Sequence, residues 1–70
     1  MQYVIRYKLA KYYYYLSFIT LAFPTGLWRG LLQAKRYDNE SDAYNDVERL
    51  KANGQTDLEV VSTHQIEEVK

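Results

Sequence analysis

Two residues near the C-terminus have the types and spacing that catalysis could use. Ser62 and His64 stand two apart, so on a β-strand both side chains would lie on one face, with Asp57 or Glu59 near enough in sequence to complete a triad. A triad also needs a sharp turn that carries the nucleophile, an oxyanion hole and a pocket. The sequence around Ser62 has no such features, so we interpret the pair as strand residues without a catalytic role.

Acidic residues and glycines form no signature of a metal or cofactor site. Asp42 and Asp46 are one helical turn apart, but exposed carboxylates normally stay ionised and solvated, and no further ligand stands at metal-binding spacing. The chain has no cysteine and a single histidine, which excludes thiolate chemistry and cysteine-based zinc or iron–sulfur sites. The segment GLWRG matches neither G-x-G-x-x-G nor G-K-[ST]. The sequence therefore predicts no enzyme, no cofactor and no metal.

Binding is the chemistry that the aromatic residues favour. The chain has eight tyrosines against two phenylalanines and one tryptophan, and tyrosine, tryptophan and arginine are enriched at interface hot spots. Four consecutive tyrosines cannot all point inward from a strand, so at least two should face outward. Each side chain taken singly could equally fill the core or the seam of a homodimer. The predicted partner-binding residues are Tyr12, Tyr13, Tyr14, Tyr15, Phe18, Trp28, Arg29, Asp42, Asp46 and Glu48.

Charge is segregated along the chain although the formal net charge is zero. Residues 1–36 carry six of the nine basic residues and no acid, and residues 37–70 carry all nine acids. Folding can mix these charges, or leave a nucleic-acid patch or two surfaces that attract each other across a dimer. The nucleic-acid alternative would use phosphate contacts and tyrosine stacking by Arg6, Lys8, Lys11, Lys35 and Arg36. We rank it below protein binding because the acidic second half opposes a polyanion.

One helix is predicted from Glu40 to Ala52. Asn39 can serve as its N-cap, with Asp42 three positions later, and Asn53 and Gly54 match the chemistry of a helix C-terminus. Such a short helix is unstable alone in water, so its apolar stripe must pack on another element. The stripe consists of Ala43, Val47 and Leu50.

That other element is predicted to be a sheet. Residues 2–10 alternate between apolar and polar, residues 12–23 are rich in β-favouring side chains, and residues 58–61 open a last strand that could continue towards Ile66 and Val69. Residues 27–36 fit a short strand or a helix. We favour the strand because Gly30 disfavours a helix by about 1 kcal/mol. Alternation assigns Val4, Arg6 and Lys8 to the face without the helix.

These elements predict a single small α+β domain over residues 1–70. Its mostly antiparallel sheet has three to four strands, with one helix packed on one face, in the order β-β-(β)-α-β. A chain this short buries only about 60% of its unfolded surface, so we expect self-association. The longest uncharged run, residues 12–28, has barely the length of a membrane span and contains Pro24 and Gly26. Cytoplasmic residence is therefore expected, with membrane association as a third hypothesis.

Four segments of the chain occur in a characteristic order: YVIRYK, the tyrosine-rich second segment, AKRYDNESDAYNDVERLKANG and the terminal LEVVS strand. In these segments the chain resembles short accessory proteins of temperate phages and mobile elements in Gram-positive bacteria. Its core consists of Tyr37, the cap at Asn39, Ala43 and the Asn53-Gly54 end. Proteins of that type are often anti-defence factors, including inhibitors of CRISPR effectors, which occupy a partner's surface. The resemblance implies a non-enzymatic protein that binds and inhibits a host protein, with Asp42, Asp46 and Glu48 able to imitate nucleic-acid charge.

Overall fold

A four-stranded antiparallel sheet carries one main helix in the computed structural model, which describes residues 1–67. The strands lie in the order β3-β2-β1-β4. We call the side of the sheet on which α1 packs the helix face and the opposite side the back face. The predicted α+β fold is confirmed. The elements are β1 (Tyr3–Leu9), β2 (Tyr12–Phe18), β3 (Leu27–Arg29), a 3-10 turn (Leu31–Gln33), α1 (Glu40–Ala52), β4 (Glu59–Ser62) and α2 (Thr63–Glu67).

Strands β1 and β2 form a hairpin whose turn consists of Ala10 and Lys11. Ala10 has a φ of 56°, the left-handed conformation that a short hairpin turn requires at its first position. The resulting register places Tyr7 opposite Tyr14. Odd-numbered residues of β1 and even-numbered residues of β2 therefore lie on the helix face, and their neighbours lie on the back face.

Residues 34–39, which we call the connecting segment, lead from the 3-10 turn to α1 and form backbone hydrogen bonds with β2 and β1. The backbone N–H of Lys35 donates to the carbonyl of Leu16 at 2.8 Å. Tyr37 exchanges two backbone hydrogen bonds with Tyr3, each 2.8 Å long. The segment is thereby held against the sheet, and the ring of Tyr37 is buried directly before α1 begins.

Helix α1 has the bounds predicted from the sequence, and it packs on the sheet through the predicted stripe of Ala43, Val47 and Leu50. Asn39 occupies the N-cap position, but its side chain contacts the Asp42 carboxylate at 3.4 Å and makes no capping hydrogen bond to the backbone. The C-terminus has a Schellman arrangement, in which Gln55 N–H donates to Leu50 O and Gly54 N–H to Lys51 O, both at 3.0 Å. The core on the helix face consists of Ile5, Leu16, Tyr37, Ala43, Val47 and Leu50.

A second, smaller cluster covers part of the back face. Val4, Tyr15 and Val61 are buried there, and the partly buried Leu31, Ala34 and Ile66 pack against them. These covering residues come from the 3-10 turn, the segment after it and α2. The back face is therefore less open than alternation alone predicted.

The last strand ends earlier than expected. Its continuation to Ile66 was a wrong prediction, because α2 begins at Thr63, and Val69 lies outside the described residues. The hydroxyl of Ser62 accepts a hydrogen bond from the backbone N–H of Gln65 at 3.1 Å. The spacing Ser62-x-x-Gln65 is a capping-box pattern, so the sequence contained a signal for this helix that strand alternation obscured.

The ambiguous segment 27–36 is a strand only at its start. Strand β3 ends at Arg29 and a 3-10 turn follows, so the preferred strand is confirmed over Leu27–Arg29 alone. The uncharged run 12–28 forms β2, a loop and the first part of β3. In residues 1–67, no helix has the length and apolar character needed to cross a membrane.

Candidate partner-binding surfaces

Aromatic side chains occupy the part of the helix face that α1 leaves open. Helix α1 packs on β1 and β4, whereas no helix within residues 1–67 lies above the end of the sheet at the β1–β2 turn. The ring of Tyr7 stacks on that of Tyr14 at 5.5 Å and meets Trp28 edge-on at 4.8 Å. We call this surface the aromatic platform. It consists of Tyr7, Leu9, Tyr12, Tyr14 and Trp28.

The platform is apolar, partly open to solvent and held in place. Tyr12 is 59% and Leu9 60% exposed, and the other three members are half-buried. The indole N–H of Trp28 donates to the carbonyl of Thr25 at 2.8 Å, which satisfies its polar atom and orients the ring. All helix-face residues of β1 and β2 are uncharged. The platform therefore offers apolar side chains of the sheet without charges that would need desolvation.

Two of the four consecutive tyrosines are exposed, in agreement with the expectation that at least two face outward. Tyr12 is exposed on the helix face, and Tyr13, at 42% exposure, on the back face. Tyr14 is half-buried within the platform. Assigning Tyr15 to a partner contact was wrong, because its ring is 7% exposed and packs against Val4 and Val61.

Two predicted binding residues lie away from the platform. Phe18 ends β2 at the opposite end of the strand, where its ring meets Phe23 edge-on at 6.2 Å. Arg29 pairs with Tyr15 across the sheet and so belongs to the back face. Trp28, Tyr12 and Tyr14 are thus the predicted residues that the fold brings together. Sequence reasoning missed Tyr7 and Leu9 as platform members because the hairpin register that places them beside the tyrosines was not predicted.

The acidic face of the helix is smaller than predicted. Asp42 and Glu48 are exposed on α1. Asp46 is buried at 7% exposure, so its assignment to a solvated, partner-binding surface was wrong. The surface available to imitate nucleic-acid charge is correspondingly weaker.

Asp46 is the centre of a partly buried polar cluster between α1 and the connecting segment. Its carboxylate accepts a hydrogen bond from the Tyr37 hydroxyl. Lys35 Nζ lies 3.4 Å from one carboxylate oxygen, and Arg49 lies 3.3 Å from the other. These contacts explain how a carboxylate can sit beside the apolar stripe of α1, because a buried charge requires paired and hydrogen-bonded surroundings.

Tyr37 makes the stability of this cluster dependent on pH. Burial, and then the hydrogen bond to Asp46 and the charge of that carboxylate, raise the pKa of Tyr37 above its ordinary value of 10.0. Since the phenol ionises first in the unfolded chain, its contribution is complete below the ordinary pKa and is lost as the pH rises towards the folded pKa. We expect the free energy of unfolding, measured in urea from about pH 8.5 to about pH 11, to fall more steeply for the wild type than for Tyr37→Phe. Parallel curves for the two proteins would contradict this assignment.

The five basic residues proposed for nucleic-acid contact do not form one surface. Lys35 pairs with Asp46 on the helix side, and Arg36 lines the shallow concavity beside it. Arg6 and Lys8 lie on the back face with Tyr13, and Lys11 occupies the turn, where its Nζ is 5.7 Å from the Tyr12 ring. Of the five, only Arg6, Lys8 and Lys11, which belong to the β1–β2 hairpin, remain candidates for a common site.

The back face contains a groove beside these cations. The guanidinium of Arg6 lies 4.0 Å from the centre of the Tyr13 ring and pairs with Glu59 at 2.8 Å. Lys8 Nζ lies 5.6 Å from the same ring. We call this feature the basic groove; its volume is about 350 Å³, and its walls are Arg6, Tyr13, Tyr15, Val61, Gln65 and Ile66.

Ser62 and His64, the pair considered for catalysis, lie in different elements, because β4 ends at Ser62 and α2 begins at Thr63. Ser62 caps α2, and His64 belongs to that helix, so the two do not share a strand face. In residues 1–67, no group of three or more histidine or acidic side chains is placed to hold a metal ion.

No family model, curated protein or solved structure matches this chain. Function is therefore inferred from the surfaces described above.

Proposed function

We propose that this chain is a non-enzymatic protein that binds another protein through the aromatic platform. The more specific form of the proposal is inhibition of a host protein, such as a CRISPR effector or another component of anti-phage defence, in the host cytoplasm. The specific form rests on the resemblance to phage accessory proteins. The binding itself is supported by one observation, the uncharged cluster of rings that α1 leaves open.

The energetics of the platform favour a protein partner. Tyrosine and tryptophan bury large areas and lose little side-chain freedom on binding, which is why they dominate interface hot spots. Stacking between Tyr7 and Tyr14 and the hydrogen bond of Trp28 hold the rings before a partner arrives. This preorganisation lowers the entropic cost of association.

The test compares two exposed tyrosines, one on the platform and one outside it. Tyr12 is 59% exposed and Tyr44, on α1, is 50% exposed, so serine at either position should leave the fold intact, as circular dichroism can verify. With the chain immobilised and a bacterial host lysate passed over it, we expect one host protein to be captured by the wild type and by Tyr44→Ser. Capture by Tyr12→Ser should fall at least about tenfold, since hot-spot truncation costs about 2 kcal/mol or more. Equal capture by both variants would refute the role of the platform.

Inhibition is tested separately with the captured protein. Its purified activity should be suppressed by the wild type and by Tyr44→Ser but not by Tyr12→Ser. A captured protein that keeps full activity would leave the binding proposal standing and remove the inhibitory one.

A second copy of the chain is the alternative occupant of the platform. In that case light scattering would give a dimer for the wild type and for Tyr44→Ser, and a monomer for Tyr12→Ser. This outcome would assign the platform to self-association, and the host-protein proposal would then lose its binding surface.

A further inference from the structure

Cations and tyrosines on the back face are arranged in two rows across the sheet. The strand register places Arg29, Tyr15, Arg6 and Glu59 in one row, on β3, β2, β1 and β4 in turn. Lys8 and Tyr13 lie opposite each other in the next row. Neighbouring strands are about 4.8 Å apart, so Arg29 stands one strand away from Tyr15, and Arg6 and Lys8 lie beside the Tyr13 ring.

The charge of these rows favours an anion. They contain three cations and one carboxylate, a balance of +2. Lys8 and Arg29 are exposed. Arg6 is held by Glu59 and by the Tyr13 ring. Glu59 is itself half-exposed, so it can move away when another anion approaches Arg6.

The basic groove has the size and lining for a flat organic ring. Its volume of about 350 Å³ falls within the range of about 300–1,000 Å³ that small-ligand sites occupy. Val61 and Ile66 form apolar walls, and Tyr13 supplies a partly exposed aromatic ring. Gln65, on α2, adds an amide that can both donate and accept hydrogen bonds.

We propose that the basic groove binds single-stranded nucleic acid, with one base in the groove against Tyr13 and the backbone phosphates on Lys8 and Arg29. Sheet-based binders of single strands combine these two elements, aromatic rings under the bases and cations along the backbone. The site lies on the opposite side of the sheet from the aromatic platform and is independent of it. A partner on the platform and a strand in the groove can therefore be bound together.

The groove suits a single strand better than a duplex. A base can reach Tyr13 only when it is unpaired, and three cations are few for the dense phosphates of a double helix. Lys35 and Arg36 do not contribute, because they lie on the other side of the molecule with Asp46.

The experiment measures fluorescence anisotropy of a labelled single-stranded oligonucleotide of mixed sequence and about 12 nucleotides, as RNA and as DNA. We expect binding whose affinity falls with salt with a log-log slope of about −1.4, since the two phosphate contacts, on Lys8 and Arg29, contribute about 0.7 each on single strands. Lys8→Glu and Arg29→Glu should each weaken binding at least about tenfold. Lys51→Glu, which makes the same charge change on α1, should have less than about a twofold effect.

Two further variants examine the groove itself. Tyr13→Ser should weaken binding about 5- to 150-fold through loss of base stacking. Glu59→Gln should strengthen it by freeing Arg6. Circular dichroism verifies that each variant is folded, and Tyr12→Ser, on the platform, should bind the oligonucleotide as the wild type does.

Three results would overturn the proposal. The first is no binding at low salt, and the second is an equal loss in Lys51→Glu and Lys8→Glu, which would indicate only the overall charge. The third is equal competition by a glutamate-rich peptide together with no effect of Tyr13→Ser, which would indicate a general anion site. None of these results would affect the test of the platform.

Discussion

Replacing Gly26 by alanine should lower the free energy of unfolding by about 3 kcal/mol. Gly26 has a φ of 81°, a conformation that costs an L-residue about 1–2 kcal/mol. A Cβ atom there would also lie 2.5 Å from Cδ1 of Leu16 and 3.4 Å from Cδ2 of Leu50. Both leucines are fully buried, so the new methyl group must displace the centre of the core.

Gly54 provides the matched control. Its φ is 94°, but a Cβ atom at this position would meet nothing within 4 Å. Gly54→Ala should therefore lower the free energy of unfolding by the backbone cost alone, about 1–2 kcal/mol. The additional loss in Gly26→Ala then measures the cost of displacing core side chains. Urea denaturation of both variants measures the difference. Equal losses would mean that the loop and the leucines rearrange without cost.

The size of the domain makes this change severe. Single cores in chains below about 70–80 residues rarely supply more than about 3–5 kcal/mol. A loss of about 3 kcal/mol would leave a large fraction of Gly26→Ala unfolded at physiological temperature. We accordingly expect a weak near-ultraviolet dichroism signal from the variant even before denaturant is added.

Replacing Asp46 by alanine should cost about 2–3 kcal/mol. The buried hydroxyl of Tyr37 would lose its acceptor, and an unsatisfied buried donor is expensive. Lys35 and Arg49 would also lose a partner, but their side chains are 45% and 57% exposed and can turn to water. Most of the loss is therefore expected to come from the tyrosine.

A double-mutant cycle separates these contributions. Tyr37→Phe with Asp46→Ala should cost less than the sum of the single changes, because removing both partners leaves no orphaned hydroxyl. Glu48→Ala is the control carboxylate on the same helix; its side chain is 73% exposed, so the expected change is within about 0.5 kcal/mol. An Asp46→Ala protein as stable as Glu48→Ala would show that the cluster contributes nothing to the fold.

Because Asp46 is buried, part of the acidic half of the chain stabilises the fold and is not available as a charged surface. One of the three acidic residues offered as a mimic of nucleic-acid charge holds α1 against the connecting segment instead. Lys35, offered as a phosphate contact, is part of the same cluster. Charge segregation in the sequence is thus partly resolved within the molecule, because Lys35 and Arg6 from the basic half pair with Asp46 and Glu59 from the acidic half.

Local patterns were sufficient for the main elements. Helix α1 was predicted with the bounds that the structure has, since its stripe, its cap position and its terminal Asn-Gly pair are all encoded within a few residues. The alternation of apolar and polar residues likewise predicted strand β1. The missed helix α2 shows the limit of this reasoning, because the alternating residues of β4 continued the strand pattern past a capping signal at Ser62.

By itself the sequence determined the fold class, the main helix and the outward direction of two tyrosines, because propensity, capping and the two-residue period of a strand act over short distances. Tertiary structure alone decided which surface each aromatic ring joined. The hairpin register placed Tyr7 and Leu9 beside Tyr12 and Tyr14. Packing of the 3-10 turn and α2 on the back face buried Tyr15 and formed the groove. Burial of Tyr15 and formation of the groove depend on contacts between residues distant in sequence, which no local pattern encodes. The register depends on a turn at Ala10 and Lys11, which lacks the glycine or asparagine that usually marks such turns.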